Sequence, residues 1–179
     1  MKRIFIIAFT LSLSALYGQT EPEIKIFHRL VILDADDQLM VVKVANADVW
    51  VTPGFYQTQD VTIQSGLNDL GASYGIEIGP PKLRGVFLLK REINEAYATS
   101  LRNVYSARIK SGAVRKPTGI EEIRWVSIEE AAELITFPHI TAMVKGILDH
   151  PNGVLGGTLR QFKENDRWET EIIEDFYSF

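Results

Sequence analysis

The sequence predicts a single α/β domain in which short strands alternate with amphipathic helices, preceded by an export signal. Three observations lead to this prediction: an uncharged apolar run after a basic start, Val- and Ile-rich segments separated by Asp and Asn clusters, and segments with helical periodicity. The 179 residues, 46% hydrophobic and 23% charged, suit one soluble domain with an ordinary core.

The first 18 residues are interpreted as a secretory signal peptide. Lys2 and Arg3 give a positive start, and residues 4–17 carry no charge. This run is shorter than the about 20 apolar residues of a transmembrane helix. We therefore expect cleavage near Gly18–Gln19 and release into the periplasm or outside the cell, the alternative being a buried N-terminal strand or helix. The absence of cysteine excludes disulfides and a lipid-bearing cysteine after the signal.

The charge of the chain bears on its partners. The formal net charge is −4, and it becomes −6 if Lys2 and Arg3 leave with the signal. Such a surface disfavours general attraction to nucleic acid or to anionic lipid. We expect neither nucleic acid nor, after signal cleavage, a membrane as a partner.

The segment from residue 24 onward predicts a β-meander that leads into a helix. The strand candidates are "IKIFHRLVILD", "LMVVKVA" and "VWVTPG". In the segment that follows, apolar residues recur at helical spacing and predict one buried face: Ile63, Leu67, Leu70 and Tyr74. Asp60 or Thr62 can cap its start, and Gly75 can end it. Gly66 and Gly71 each weaken the helix by about 1 kcal/mol relative to Ala, so packing must stabilise it.

The second half of the chain predicts three further strands and two helical segments. "LRGVFLLKR" and "SLRNVYSARI" are strand candidates separated by a polar loop, "EINEAYAT", and "EEIRWVSI" is the next strand. Ser127 and Glu130 form a capping box before a helix, Pro138 interrupts that helix, and "HITAMVKGIL" restarts it. Residues 151–179 predict either a hairpin or a strand with a short helix.

Residues 54–76 resemble the signature box of the Nudix hydrolase superfamily: G, five residues, E, seven residues, then R-E-U-x-E-E-x-G-U with U apolar. The spacing is kept without insertion. The residues at its defined positions are Gly54, Asp60, Asn68, Asp69, Leu70, Ala72, Ser73, Gly75 and Ile76. "EEIRWVSIEEAAELI" resembles the strand and helix that follow in the family. The resemblance implies an α/β/α sandwich with a mixed sheet over residues 24–150, with 151–179 packed on it or continuing it.

The resemblance also implies a Mg²⁺ site facing a diphosphate, but most of its ligands are replaced. Ala72 offers no ligand, Ser73 offers a neutral oxygen, and Asn68 lacks the guanidinium that would orient the acids. Asp69 and Asp60 are the remaining metal candidates. A single helix carboxylate is a poor site for Mg²⁺, so we expect no cofactor, and Mg²⁺ only where activity remains.

Other residues border the same region in the predicted arrangement. Four acids could replace the lost pair: Glu92, Glu95, Glu121 and Glu122. Three aromatic residues flank the loop where a flat ligand could stack, although packing is the commoner role: Trp50, Phe55 and Tyr56. The histidines show no metal-ligand spacing: His28, His139 and His150.

Three functions are consistent with these observations. The first is an exported Nudix-family protein with a decayed hydrolysis site and a binding or scaffold role for a phosphate-containing small molecule. The second is a metal-dependent hydrolase of a nucleoside-diphosphate-linked compound that uses acids partly outside the box. The third is a structural interaction domain. Export favours the first and third, because nucleotide housekeeping is a cytosolic task.

Overall fold

The structure is a computed structural model that describes residues 24–93 and 96–179. The predicted signal peptide therefore lies outside the described residues. The strands are β1 Lys25–Leu33, β2 Leu39–Val44, β3 Val49–Val51, β4 Gly54–Tyr56, β5 Ile76–Ile78, β6 Lys82–Ile93, β7 Ala96–Gly112, β8 Ile120–Val126, β9 Leu155–Glu164 and β10 Arg167–Ser178. The helices are α1 Ile63–Ser73, α2 Ile128–Leu134 and α3 Pro138–Asp149. Within the described residues, no helix is long and apolar enough to cross a bilayer.

The strands form a mixed sheet in the order β10-β9-β6-β7-β1-β2-β3, with β10 at one edge. β1 runs parallel to β7, and β6 runs parallel to β9, whereas the other neighbours pair antiparallel. β4 pairs with β1, β5 with β7, and β8 with β2. The mixed sheet predicted from the family resemblance is confirmed.

Two cores lie against the sheet because successive side chains of a strand point to opposite faces. Leu30 and Ile32 of β1 pack with α1 in one core. Val31, between them, packs in the other core, where α2 and α3 lie. The sheet therefore separates α1 from α2 and α3, as a sandwich requires.

Helix α1 begins later than Asp60 and buries a different set of residues than its apolar spacing predicts. Thr62 is the cap, accepting a hydrogen bond from the Ser65 backbone N–H at 3.2 Å, whereas Asp60 lies exposed two residues earlier. Capping by Asp60 is therefore wrong. Ile63 is also wrongly placed in the buried face, because it is 41% exposed at the first helical position. Leu67 and Tyr74 are buried, at 2% and 3% exposure.

The two glycines of α1 allow the helix to approach its neighbours closely. A Cβ atom at Gly66 would lie 2.4 Å from the Phe55 ring, and one at Gly71 would lie 3.1 Å from Ile78. Both glycines are buried. Glycine lowers helix propensity, as predicted. Because these two glycines have no side chain, α1 can pack closely against β4 and β5.

Helices α2 and α3 follow their sequence signals. The Ser127 hydroxyl accepts a hydrogen bond from the Glu130 backbone N–H at 3.1 Å and caps α2. Pro138 is the first residue of α3, where the missing N–H costs nothing. The predicted restart of the helix at this proline is confirmed.

The segment "EINEAYAT" is not the loop that its polarity predicts. β6 and β7 pair through Ile93 and Ala96, so only residues 94–95 lie outside the described hairpin. The cross-strand ladder outweighs local polarity here. The partners are close in sequence, since Ile93 pairs with Ala96, but the polar composition of the segment does not indicate strands.

The C-terminal segment forms a hairpin that extends the same sheet. Asn165 and Asp166 have φ angles of 48° and 63°, the conformation of a two-residue type I′ turn between β9 and β10. β9 pairs with β6, so residues 155–178 continue the domain. Of the two open alternatives, the hairpin is the one that forms.

Leu67→Ala tests the packing of α1. Because Leu67 is buried in the core beneath this helix, we expect a loss of about 2–5 kcal/mol in the free energy of unfolding, measured by urea denaturation. The control is Ile63→Ala on the exposed end of the same helix, expected to change stability by about 0.5 kcal/mol or less. Equal effects of the two variants would show that the buried face is misassigned.

Gly66→Ala tests the close approach of Phe55 to α1. Replacing a mid-helix glycine with alanine normally stabilises by about 1 kcal/mol. Here we expect destabilisation of about 1–3 kcal/mol, the usual cost of overpacking. In a Phe55→Leu background the same change should cost less. An increase in stability from Gly66→Ala alone would contradict the contact.

Candidate functional site

The box residues of α1 lie on its solvent-facing side. Asn68, Asp69, Ala72 and Ser73 are all exposed, and their spacings of three and four place neighbours side by side. The Ser73 hydroxyl donates a hydrogen bond to the Leu70 carbonyl oxygen at 2.7 Å. This hydroxyl is therefore turned toward the helix backbone, and Asp69 contributes the one carboxylate of this helix face.

An open cavity of about 790 Å³ borders this face of the helix. Asp69 and Glu77 are the two carboxylates that line it, together with Arg115. Glu77 accepts hydrogen bonds from Lys110 and from Ser111, and these lower the pKa of its carboxyl. Glu77 is thus engaged by residues of β7 and is not directed to Asp69 as a partner.

The donor set does not fit a Mg²⁺ site of the kind that the family resemblance implies. Mg²⁺ needs several oxygen ligands in near-octahedral geometry. In residues 24–93 and 96–179 there is no group of three or more His, Cys, Asp or Glu residues placed to hold a metal ion. Asp60 lies in an exposed turn, outside the helix that carries Asp69.

The other candidate acids are engaged in ion pairs on strands. Glu92 of β6 bonds Arg160 at 2.6 Å, Glu121 bonds Lys43 at 3.2 Å, and Glu122 bonds Arg124 at 2.6 Å. Glu95 lies outside the described residues. The structure does not bring the described three together with Asp69.

The aromatic residues around the box loop pack against the protein. Phe55 stacks on His28 with ring centres 5.1 Å apart, and Tyr56 meets Phe27 edge-on at 4.9 Å. Trp50 lies beneath the Arg124 guanidinium at 4.7 Å. These contacts account for all three aromatic residues that flank the loop.

The three histidines lie in separate environments. His28 is buried, and its Nε2 lies 2.9 Å from Gln57 Oε1; burial lowers its pKa, and this hydrogen bond opposes the shift. His150 donates from Nδ1 to the Gly146 carbonyl oxygen at 2.9 Å. His139 is buried in the first turn of α3.

A cationic cluster that the sequence analysis missed lies on the sheet face covered by α3. Arg29 of β1 and Arg102 of β7 both lie over the Phe27 ring, at 5.1 and 4.9 Å from its centre. Arg29 donates from Nη1 to the Thr52 carbonyl and hydroxyl oxygens, at 2.8 and 2.7 Å. Arg102 donates from Nε to the Ser100 hydroxyl at 3.0 Å. Both arginines are at most 4% exposed.

Two positive charges lie close together in this cluster. Burial, and secondly Arg102, lower the pKa of Arg29 to about 9, so Arg29 stays charged at neutral pH. Within the described residues, neither guanidinium has a carboxylate oxygen within 4 Å. Burial, then the charges of Arg29, Arg102 and Arg91, hold the pKa of His139 well below its ordinary value, which leaves this imidazole neutral.

Among the described residues, this face includes four buried polar side-chain atoms that have no hydrogen-bond partner: Arg29 Nε, His139 Nδ1, Gln161 Nε2 and Thr170 Oγ1. Gln161 is anchored by its oxygen, which accepts from Arg91 Nε at 3.1 Å. An arginine inside the apolar run "IFHRLVIL" was the one signal in the sequence that could have indicated this cluster.

Comparison with solved structures places this architecture among Nudix proteins. The mutator MutT protein from Bacillus halodurans matches with a TM-score of 0.67 and 18% identity, covering 83% of this chain and 98% of that chain. A Nudix hydrolase from Nitrosomonas europaea gives 0.61 and 14%, covering 80% and 81%. The Nudix domain of Shewanella oneidensis NrtR, complexed with ADP ribose, gives 0.57 and 10%, covering 76% and 96%.

Sequence comparison adds nothing to this structural similarity. No protein-family model matches the sequence. No curated protein matches it either. At identities of 18% or less the solved structures establish the architecture: this chain has the fold of the Nudix hydrolases.

Proposed function

We propose that this chain is a Nudix-fold binding protein for a small phosphate-containing ligand, with no metal-dependent hydrolysis. The observation that carries the proposal is the exposed face of α1, where one carboxylate, Asp69, stands beside Ala72 and a Ser73 hydroxyl bonded to its own helix. A metal that must activate water and neutralise phosphate charge needs more oxygen ligands than this face offers.

Two further observations support a phosphate-containing ligand. A structural neighbour, the NrtR Nudix domain, holds ADP ribose. The chain also buries Arg29 and Arg102 on its sheet, and guanidinium groups bind phosphate and carboxylate oxygens through paired N–H donors. The proposed role is thus binding by fixed cationic donors, without bond cleavage.

Hydrolysis of a nucleoside-diphosphate-linked compound is the second candidate function. It is favoured by the Nudix hydrolase among the structural neighbours and by the joint placement of Asp69 and Glu77 on one cavity. In that case Asp69 would bind the metal, and Glu77 would have to leave Lys110 and Ser111 to join it. The first candidate requires no such rearrangement.

The catalytic prediction compares the natural box with a restored one. We expect the wild type to show no Mg²⁺-dependent turnover of ADP ribose at neutral pH, measured by chromatography of the two products, AMP and ribose 5-phosphate. Changing Asn68→Arg, Ala72→Glu and Ser73→Glu together would place three carboxylates, with Asp69, on one helix face. Mg²⁺ affinity measured by calorimetry should then rise.

A control variant adds the same number of carboxylates at other positions. Gln59→Glu with Gln64→Glu adds two carboxylates at exposed positions outside the box acids and should leave Mg²⁺ affinity unchanged. Metal-dependent turnover by the wild type would overturn the binding proposal. If Asp69→Asn abolished that turnover, the second candidate function would take its place.

We also propose that the protein is exported, on the strength of Lys2-Arg3 and the uncharged run that follows. The intact mass of protein recovered from the periplasm or medium of its native host should correspond to a chain that begins near Gln19. Recovery of the full-length chain from the cytoplasm alone would contradict export. The binding proposal does not depend on this outcome.

A further inference from the structure

The structure assigns a second binding site, for an uncharged heteroaromatic ring, to a cavity of about 570 Å³ in the described part of the chain. We call it the ring cavity. One wall consists of four residues of α1: Ile63, Gln64, Leu67 and Asn68. The opposite wall consists of residues 79–81, which join β5 to β6, and Tyr105 of β7. The ring cavity lies on the α1 side of the sheet, away from the buried arginines, and this inference does not rest on the proposed function.

The α1 wall of the ring cavity combines an apolar row with an amide row. Ile63 and Leu67 are four residues apart and form the apolar row, while Gln64 and Asn68, also four residues apart, form the amide row beside it. Ile63 is 41% exposed, although its spacing along α1 is that of a core residue. A ligand in the cavity would cover this side chain and remove its apolar surface from water.

The opposite wall is rigid and is built largely from rings. Pro80 and Pro81 have fixed φ angles and no backbone N–H. The Gly79 backbone N–H donates to the Arg108 carbonyl oxygen at 2.8 Å, which holds this turn on β7. Tyr105 is half-buried, and burial raises its pKa, so its phenol stays protonated at neutral pH. A wall that is in place before the ligand arrives lowers the ordering cost of binding.

The two charged residues that line the ring cavity favour an uncharged ligand. Lys110 of β7 donates a hydrogen bond to Glu77 of β5, and the two side chains form an ion pair. A phosphate or carboxylate group would have to draw Lys110 away from Glu77, and a cation would have to draw Glu77 away from Lys110. An uncharged ligand leaves this ion pair intact.

The amide row indicates which polar groups the ring carries. A side-chain amide presents N–H donors and a carbonyl acceptor in one plane, so Gln64 and Asn68 match a ligand that has both a donor and an acceptor. A purely aliphatic ligand would cover the amides without replacing the water that they bind. A flat ring with an amino or carboxamide group fits both rows, because its faces can contact Ile63 and the prolines while its edge meets the amides.

The test uses small probes that differ in one property at a time, each titrated into the full chain and followed by NMR. Nicotinamide and adenine are flat, uncharged rings with donors and acceptors. Nicotinate keeps the ring of nicotinamide but carries a carboxylate, and cyclohexanecarboxamide keeps the amide on a ring that is not flat. We expect nicotinamide or adenine to bind with a Kd on the order of 1 mM or below, and to shift the resonances of Ile63 and Tyr105.

The two control probes should bind at least threefold more weakly than nicotinamide, nicotinate because of its charge and cyclohexanecarboxamide because of its shape. Failure of both flat rings to bind at roughly ten times the expected Kd would overturn the ring cavity. Binding of either control probe as tight as that of the best flat ring would overturn it as well, and so would shifts confined to residues outside the cavity.

Ile63→Ala and Gln64→Ala locate the site, and Ile172→Ala is their control. Both α1 residues are exposed, so their variants should keep the fold. Ile172 is 47% exposed and lies on β10, outside the cavity. We expect each α1 variant to weaken binding of the flat ring at least threefold, the first through lost apolar contact and the second through the lost amide. Ile172→Ala should bind as the wild type does, and equal binding by all three variants would contradict the assignment.

The outcomes separate this inference from the proposed function. Ring binding that depends on Ile63, together with metal-dependent turnover of ADP ribose, would overturn the non-hydrolytic role and leave the ring cavity in place. No ring binding, together with no turnover, would overturn the ring cavity and leave the proposed function in place.

Discussion

The packing around the box loop depends on two contacts between an aromatic ring and a glycine: Phe55 with Gly66, and Phe27 with Gly54. The Phe55 ring lies where a Gly66 side chain would be, and the Phe27 ring lies 2.5 Å from where a Gly54 Cβ would be. The first contact seats α1 against β4, and the second lets β4 pair closely with β1. Phe27 in turn carries both buried arginines. The solvent-facing side of α1 and the sheet face that carries the two arginines thus depend on one loop.

Elements that begin at a capping residue or a proline could be predicted from the sequence, and strands held by cross-strand pairing of polar residues could not. Ser127 and Pro138 mark the two C-terminal helices through backbone chemistry that acts within one turn. The polar segment that ends β6 and begins β7 instead pairs across a hairpin, and its amino-acid composition does not indicate this pairing. The turn at Asn165–Asp166 was readable in principle, since both residues tolerate positive φ, but the flanking strands are polar enough to obscure it.

The residues of the candidate site also fall into two groups, those that are contiguous in sequence and those that strand pairing brings together. The box is contiguous, so the loss of acids at Ala72 and Ser73 could be read directly from spacing. The cationic cluster joins residues of β1 and β7, and its geometry follows from register: Phe27 lies opposite Arg102. An alternating strand pattern shows which residues share a face of one strand. It does not show which strands are neighbours. The two arginines lie close together because β1 pairs with β7.

The edge strand β10 has a consequence for how copies of this protein meet. Its outer side presents a strand with unpaired backbone groups, and Ile172 and Ile173 on it are each 47% exposed, a combination that invites a second chain to add to the sheet. Four acids are distributed along the same strand: Glu169, Glu171, Glu174 and Asp175. Two copies approaching edge to edge would bring these carboxylates together, and their repulsion opposes fibre-like association through this edge of the described sheet.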